Sequence, residues 1–195
     1  DSGSTIFTQS GSSISGGSFD IVSNSNYIVL CSSGANPDLT IIDSTTDSTV
    51  ATIDLGSYSS GGGYAVPNGL QIDETKVYVT TMATGGNART WAWNLSDQTL
   101  AWDLGSPSGK NLRMAGISAD KSELIMVQSD VGASNEWRTD KALCISTYDG
   151  STTVPEFEIP ATTYHPTQDY YVESAVKTDS LILIGTPSSE LINNN

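Results

Sequence analysis

Two stretches of this chain share one frame, and that frame restricts the fold more than any other feature. "GLQIDETKVYVTTM" (Gly69–Met82) aligns with "GISADKSELIMVQS" (Gly116–Ser129) at an offset of 47 residues. Both run glycine, apolar, polar, small or apolar, Asp, a short turn, then an apolar strand. "SFDIVSNSNYIVLCSS" (Ser18–Ser33) and "YYVESAVKTDSLILIGT" (Tyr170–Thr186) fit it more loosely. The first three copies are each followed by another apolar strand, a polar turn and a further strand. The repeating unit is therefore two hairpins, and a unit of four strands with a period of about 47 to 57 residues is the signature of a β-propeller blade. A blade cannot bury both faces of its sheet alone, so it must stack on neighbours.

The rest of the chain obeys the same pattern. Helical periodicity is almost absent. Runs of four to seven residues rich in Val, Ile, Thr, Tyr and Trp alternate with Gly, Asn, Asp, Ser or Pro clusters, which marks short strands joined by turns. The expected fold is all-β: a β-propeller of about four four-stranded blades, with 1–195 as one domain. The units are 19–55, 69–104 and 114–159, and the fourth joins 170–195 to an N-terminal strand at 4–9, so that the two chain ends close the ring in one blade. The alternative is an incomplete ring whose open edges pair with another chain. Two outer strands end alike, "TVATIDLGS" (49–57) and "QTLAWDLGS" (98–106), 49 residues apart. Their Asp-Leu-Gly reads as blade-end punctuation, with the leucine facing the next blade and the glycine permitting the exit turn. The third unit has lost it, at "EFEIPA".

"VYVTT" (Val77–Thr81), "TIIDSTTDSTVATIDLG" (Thr40–Gly56) and "ISADKSELIMV" (Ile117–Val127) together resemble the YVTN-type propeller repeats of surface-layer and lactonase-like proteins. The resemblance covers roughly Ser18–Val127. It implies a propeller fold, not an activity. The His, Arg and acidic set on which lactonase-like propellers rely has no identifiable counterpart here.

Composition narrows the function classes. Eight Lys plus Arg face 22 Asp plus Glu, a net charge of −14. No basic stripe is available to neutralise phosphates, which excludes nucleic acid, and an anionic membrane surface is excluded on the same ground. No apolar run approaches the ~18–20 residues of a membrane span. The Ser- and Thr-rich, Lys-poor composition and the polar start at Asp1 are those of a mature secreted protein, so the expected location is extracellular or at a cell surface.

Candidate chemistry is sparse. The one histidine, His165, lies in "TTYHPTQDYY". A Ser-His-Asp arrangement would need it, yet no G-x-S-x-G elbow places a nucleophile, and a loop histidine beside Pro166 is the simpler reading. One His and two distant Cys do not make a zinc site. Cys31 and Cys144 fall in non-adjacent units and read as two buried free thiols. The acidic run "IDSTTDST" (Ile42–Thr49) has oxygens that suit Ca²⁺, but it matches no EF-hand spacing and reads as a solvated hairpin turn. In "TWAWNLSDQTLAW", a turn centred on Ser96 and Asp97 would set Trp91 opposite Trp102, for packing between blades or for stacking on a sugar. Trp137, in "GASNEWRTD", and His165 lie on the long loops of the third unit and are the candidate contact residues, Trp137 the more plausible of the Trp set. Asn94-Leu95-Ser96 is the only N-x-[ST] sequon, so Asn94 is the candidate glycosylation site. No catalytic set, no metal and no cofactor is expected. The expected function is a non-enzymatic extracellular structural or interaction protein that assembles with itself, as a surface layer or filament, or with another extracellular protein or glycan. The alternatives are a lectin-like propeller binding a glycan or small molecule and, behind it, a lactonase-like enzyme.

Overall fold

The structure is a computed structural model that describes residues 18–32, 37–58, 66–82, 88–106, 110–130, 139–159, 174–179 and 181–185. They form fourteen strands and one 3₁₀ turn, Leu55–Tyr58. The first sheet is β1 (Ser18–Ser23), β2 (Tyr27–Ser32), β3 (Asp38–Asp43) and β4 (Ser48–Asp54). The second is β5 (Val66–Ile72), β6 (Lys76–Met82), β7 (Arg89–Asn94) and β8 (Leu100–Gly105). The third is β9 (Lys110–Ile117), β10 (Glu123–Asp130), β11 (Thr139–Ser146) and β12 (Thr152–Glu158). A two-stranded sheet follows, β13 (Ser174–Lys177) and β14 (Ile182–Gly185). Each sheet is an antiparallel meander in chain order. The expected strand at 4–9 and the C-terminal residues 186–195 lie outside the described residues.

Stacking follows from strand alternation, because successive side chains point to opposite faces. One face of the first sheet buries Val29, Cys31, Leu39 and Ile41 against Val77, Val79, Trp91 and Trp93 of the second. The other face of the second sheet presents Tyr78 and Ala92 to Leu124, Met126 and Ile145 of the third. The far face of the third packs Ile125, Val127 and Cys144 against Ala175 and Ile182 of the fourth. The first strand of each sheet touches the first strand of the next, in the succession β1, β5, β9, β13. Sheets stacked face to face around their innermost strands make this chain a β-propeller.

The turns repeat more faithfully than the sequence does. Asn24, Asp73, Ser118 and Thr178 each donate a backbone N–H across the first hairpin of their sheet, to Tyr27, Lys76, Glu123 and Leu181. The residue after each third strand then bonds back to that hairpin at 2.9 Å: Ser44 to Asn26, Leu95 to Thr75 and Thr147 to Ser122. Each second hairpin passes through one left-handed residue, at Asp47 (φ 55°), Gln98 (φ 59°) and Gly150 (φ 75°), the conformation a bulged tight hairpin needs. Only the third uses glycine. A Cβ at Gly150 would also lie 3.2 Å from the ring of Trp102. Gly150→Ala is therefore expected to lower stability by about 1–2 kcal/mol, read as a lower denaturant midpoint at unchanged slope.

Two expectations about the second hairpins are corrected. Trp91 pairs with Asp103, while Trp102 pairs with Ala92. A bulge between Ala92 and Trp93 leaves Ala101 unpaired, and a one-residue slip moves a side chain to the opposite face. Trp91 thus enters the core against the first sheet and Trp102 the core against the third. The Asp-Leu-Gly repeats are likewise not equivalent. Asp54 pairs with Asp38 at the start of β3, whereas at the start of β7 it is Gly105 that pairs with Arg89. The second hairpins repeat at 51 residues and the Asp-Leu-Gly at 49, so the motif slides by two. A two-residue slide keeps the face, so both leucines still meet the next sheet: Leu55 against the second, Leu104 against the third. Neither glycine has a positive φ, so neither is there to permit a turn.

Candidate functional site

In a meander, the turns joining the first and second strands share one end with those joining the third and fourth. That end gathers the acidic turn residues, and five of them, Asp43, Asp73, Asp97, Asp120 and Asp149, are spent locally. The Asp43 carboxylate accepts the N–H groups of Thr45 (2.7 Å) and Thr46 (3.0 Å). Asp97 accepts from Thr99 (3.1 Å from N–H, 2.7 Å from hydroxyl) and Asp149 from Ser151 (3.0 and 2.6 Å). Asp120 accepts the hydroxyls of Ser118 (2.6 Å) and Ser122 (2.8 Å). These donors hold all four carboxyls below the usual range, that of Asp120 at about 2. The run 42–49 is thus a capped hairpin turn. Among the described residues, no group of three or more His, Cys, Asp or Glu side chains could hold a metal ion.

Asp73 is the buried member of this set. One carboxylate oxygen accepts from Thr75 N–H (2.6 Å), Thr75 hydroxyl (3.0 Å) and Lys76 N–H (2.7 Å). The other accepts a hydrogen bond from the Tyr78 hydroxyl. Burial pushes the Asp73 carboxyl up, but these four donors outweigh it and the net shift is downward. Burial, then the neighbouring carboxylate, pushes the Tyr78 phenol far up. A carboxylate with every oxygen occupied and a lowered pKa is a structural anchor rather than a general base, which works best near neutrality.

The same linkage sets an acid limit. A group whose folded pKa is depressed stabilises the fold above its ordinary value, here 3.8, and that contribution is lost as pH falls through the folded value. Melting temperature is expected to hold from pH 7 to 5 and to fall steeply between pH 4 and 2. Asp73→Asn should melt lower at pH 7 and lose less on acidification.

The turns also tie the sheets together. Asn24 Nδ2 donates to the Asp73 carbonyl (2.7 Å), and Lys121 of the third sheet pairs with Glu74 of the second (2.9 Å). Trp102 Nε1 donates to the Thr147 carbonyl (3.2 Å), across the second and third sheets. Ala119 N–H donates to the Lys177 carbonyl (3.0 Å), and Lys177 is ion-paired with Glu123. On this fixed surface one aromatic stands out. Tyr148 is 81% exposed, on the turn of Asp149 and Gly150, with Lys76 Nζ of the neighbouring sheet 5.8 Å from its ring centroid. Sequence reading passed it over, although "TYDGS" sets an aromatic beside an Asp-Gly turn.

Of the sequence candidates, Asn94 ends β7 at this same end, half-buried, its Nδ2 donating to Thr99 Oγ1 (3.0 Å). Trp137 and His165 lie outside the described residues. Trp91 and Trp93 are core residues between sheets, so they offer no sugar-stacking platform. Cys31 and Cys144 are free and buried, on β2 and β11 in different cores. Burial, then the charges of Asp20 and Asp38, push the Cys31 thiol up to about 12, which makes it a poor nucleophile.

No family model matches the chain, and no curated protein matches it. Solved structures do share its fold. The computationally designed Ika4 protein superposes with a TM-score of 0.57 at 13% identity, over 94% of this chain and 92% of that one. KlAtg21, solved with the coiled coil of AgAtg16, gives 0.58 at 11% identity over 88% of this chain and 50% of that one. The C-terminal WD40 domain of Sif2 gives 0.52 at 10%, over 83% and 40%. The chain thus spans half or less of the length of these last two. Enzymes share the fold as well, a europium-containing methanol dehydrogenase among them, so the architecture alone selects neither catalysis nor binding.

Proposed function

We propose that this chain is a non-enzymatic interaction propeller of the extracellular space or cell surface, acting by assembly with copies of itself or by docking another extracellular protein or glycan. The observation that supports it most is the turn end of the stack. Five of its carboxylates are consumed in capping turns, its sheets are cross-tied there, and Tyr148 projects from it. Rigid aromatics on a fixed scaffold are what contact surfaces use. The acidic, Ser- and Thr-rich composition supports the location, and the Asn94 sequon at this end supports a glycan there. The Atg21 structure, solved in complex with a coiled coil, is a precedent for a chain of this fold holding a protein partner.

The test has two arms. A panel of lactones and esters should show no turnover above buffer. A rate that disappears in His165→Ala would overturn the reading in favour of an enzyme. On a glycan array, binding lost in both Tyr148→Ala and Trp137→Ala would replace assembly with lectin activity as the main role.

A further inference from the structure

The three seams of the stack are not built alike. The second sheet brings Val79, Trp91 and Trp93 to the first seam, and the third sheet brings Leu124, Met126 and Ile145 to the second. The fourth sheet brings Ala175, buried, and Ile182, half-buried, to the third seam, with no aromatic among its described side chains. Polar ties join this seam instead. Ala119 N–H donates to the Lys177 carbonyl (3.0 Å), and the Lys177 ammonium pairs with the Glu123 carboxylate. The side chains of that pair are 19% and 13% exposed. They are more enclosed than those of Arg89 with Asp103, Lys121 with Glu74 or Lys141 with Glu156. Burial pushes the Glu123 carboxyl up, but Lys177 and Thr153 pull it below its ordinary value, and Glu123 raises the Lys177 ammonium in turn. Both groups are therefore charged at neutral pH, and removing one strands the other in the seam. Beside them lies a free thiol. Cys144 is fully buried in the same core as Ala175 and Ile182. It pairs with Ile125, two residues along β10 from Glu123, and alternation puts all three on the face toward the fourth sheet. Cys31, the other free thiol, is as deeply buried, but between the first and second sheets.

We propose that the Glu123–Lys177 pair is the latch of a fourth sheet that opens as a unit, and that Cys144 is the group the latch guards. Proteins open locally where a segment buries little of its own, well below the cost of global unfolding. The third seam has that character, and its enclosed charges make the opening depend on one pair of side chains. Glu123 is on β10 and Lys177 on β13, so the pair spans the two sheets that would part. Closed, the seam keeps Cys144 from any reagent. Open, it leaves an accessible thiol that attacks a disulfide as its thiolate, while Cys31 stays shut between sheets that have not moved. The device is a conformational gate on thiol chemistry. It goes beyond the docking function proposed above and does not depend on which partner the propeller holds.

The experiment is the labelling rate of each cysteine by the aromatic disulfide 4,4′-dithiodipyridine at pH 7, with the labelled peptide identified by mass. The thiolate attacks one sulfur, a mixed disulfide forms, and the displaced thiopyridone carries away the thiol's proton. In the wild type Cys144 is expected to label slowly, yet faster than Cys31. Lys177→Met and Glu123→Gln should each raise the Cys144 rate about 100-fold and leave the Cys31 rate within about threefold of wild type. The exchanged pair, Glu123→Lys with Lys177→Glu, should recover most of the protection. If the lysine stem merely packed, Lys177→Met would keep the protection and the exchange would lose it. A Cys144 rate unmoved by both single variants, a Cys31 rate that rises in step with it, or an exchanged pair that labels as fast as the single variants would each overturn the proposal.

Discussion

Gly116→Ala is expected to destabilise the protein by about 3 kcal/mol, at the upper end of overpacking costs, and to do so by unseating the fourth sheet. A Cβ at Gly116 would fall on the carbonyl oxygen of Ala175 and within 3.0 Å of its carbonyl carbon. These are backbone atoms of β13, so no side-chain rotation relieves the clash and the strand itself must move. Its sheet holds to the third through Ala175 and Ile182 in the core, the Ala119 to Lys177 backbone bond and the Lys177–Glu123 ion pair. Amide exchange in Ser174–Lys177 should therefore accelerate more than exchange in the second sheet, since repeat arrays open at their ends. Gly69→Ala is a graded comparison. There the added Cβ meets the Thr80 hydroxyl and, at 3.0 Å, the Cβ and backbone oxygen of Met114 of the next inner strand, so only the part of the strain carried by the Thr80 side chain can relax by rotation. Gly105→Ala is the control, because its nearest neighbour is the Arg89 guanidinium at 3.8 Å, and its midpoint should stay within about 0.5 kcal/mol of wild type. A denaturant series on the three variants ranks them. Equal effects at Gly116 and Gly105 would mean the inner strands are not packed this closely.

The same comparison shows which parts of the structure a sequence carries. Strand positions were legible from Tyr27–Ser32 through Ile182–Gly185 because alternation and turn residues are local signals. The stacking order was legible because the frame repeats. Register within the second hairpins was not. The bulges that skip Val50 and Ala101 answer to sheet twist and to the packing of neighbouring sheets, and nothing in "TWAWNLSDQTLAW" announces the slip. For the same reason Asp-Leu-Gly looked like a fixed punctuation mark, when it slides by two residues between sheets and only the leucine's face is kept. The glycines of the repeat frame are informative for a different reason than local turn chemistry. Gly69 and Gly116 mark where the next inner strand comes too close for a side chain, a tertiary fact that no local pattern encodes. At the turn end, the Asp residues were legible as turn formers. The joining of Asp73 to Tyr78 and of Trp102 to Thr147 was not, because each depends on how strands pair or sheets stack.

Register can be tested in solution with the two tryptophans. Trp91→Ala is expected to cost about 3–5 kcal/mol, the range for removing a fully buried indole, since Trp91 is among the largest side chains with no exposure and sits between the first and second sheets. Trp102→Ala should cost less, about 2–3 kcal/mol, because its ring is only partly buried against the third sheet and part of the loss is the Nε1 bond to Thr147. The decisive quantity is the coupling between them. If the indoles faced each other across the hairpin, each would lose packing when the other was truncated, and the double variant would fall short of the sum by about 1 kcal/mol or more. The bulge instead puts them on opposite faces of one sheet, in separate cores, so the two costs should add within about 0.5 kcal/mol. Trp91→Phe and Trp102→Phe, which keep a ring in each core, supply a milder cycle should the double alanine variant fail to fold. Near-additivity in either cycle supports the slipped register. A large coupling would return Trp91 and Trp102 to one face and, with them, reopen the stacking platform that the observed register dismantles.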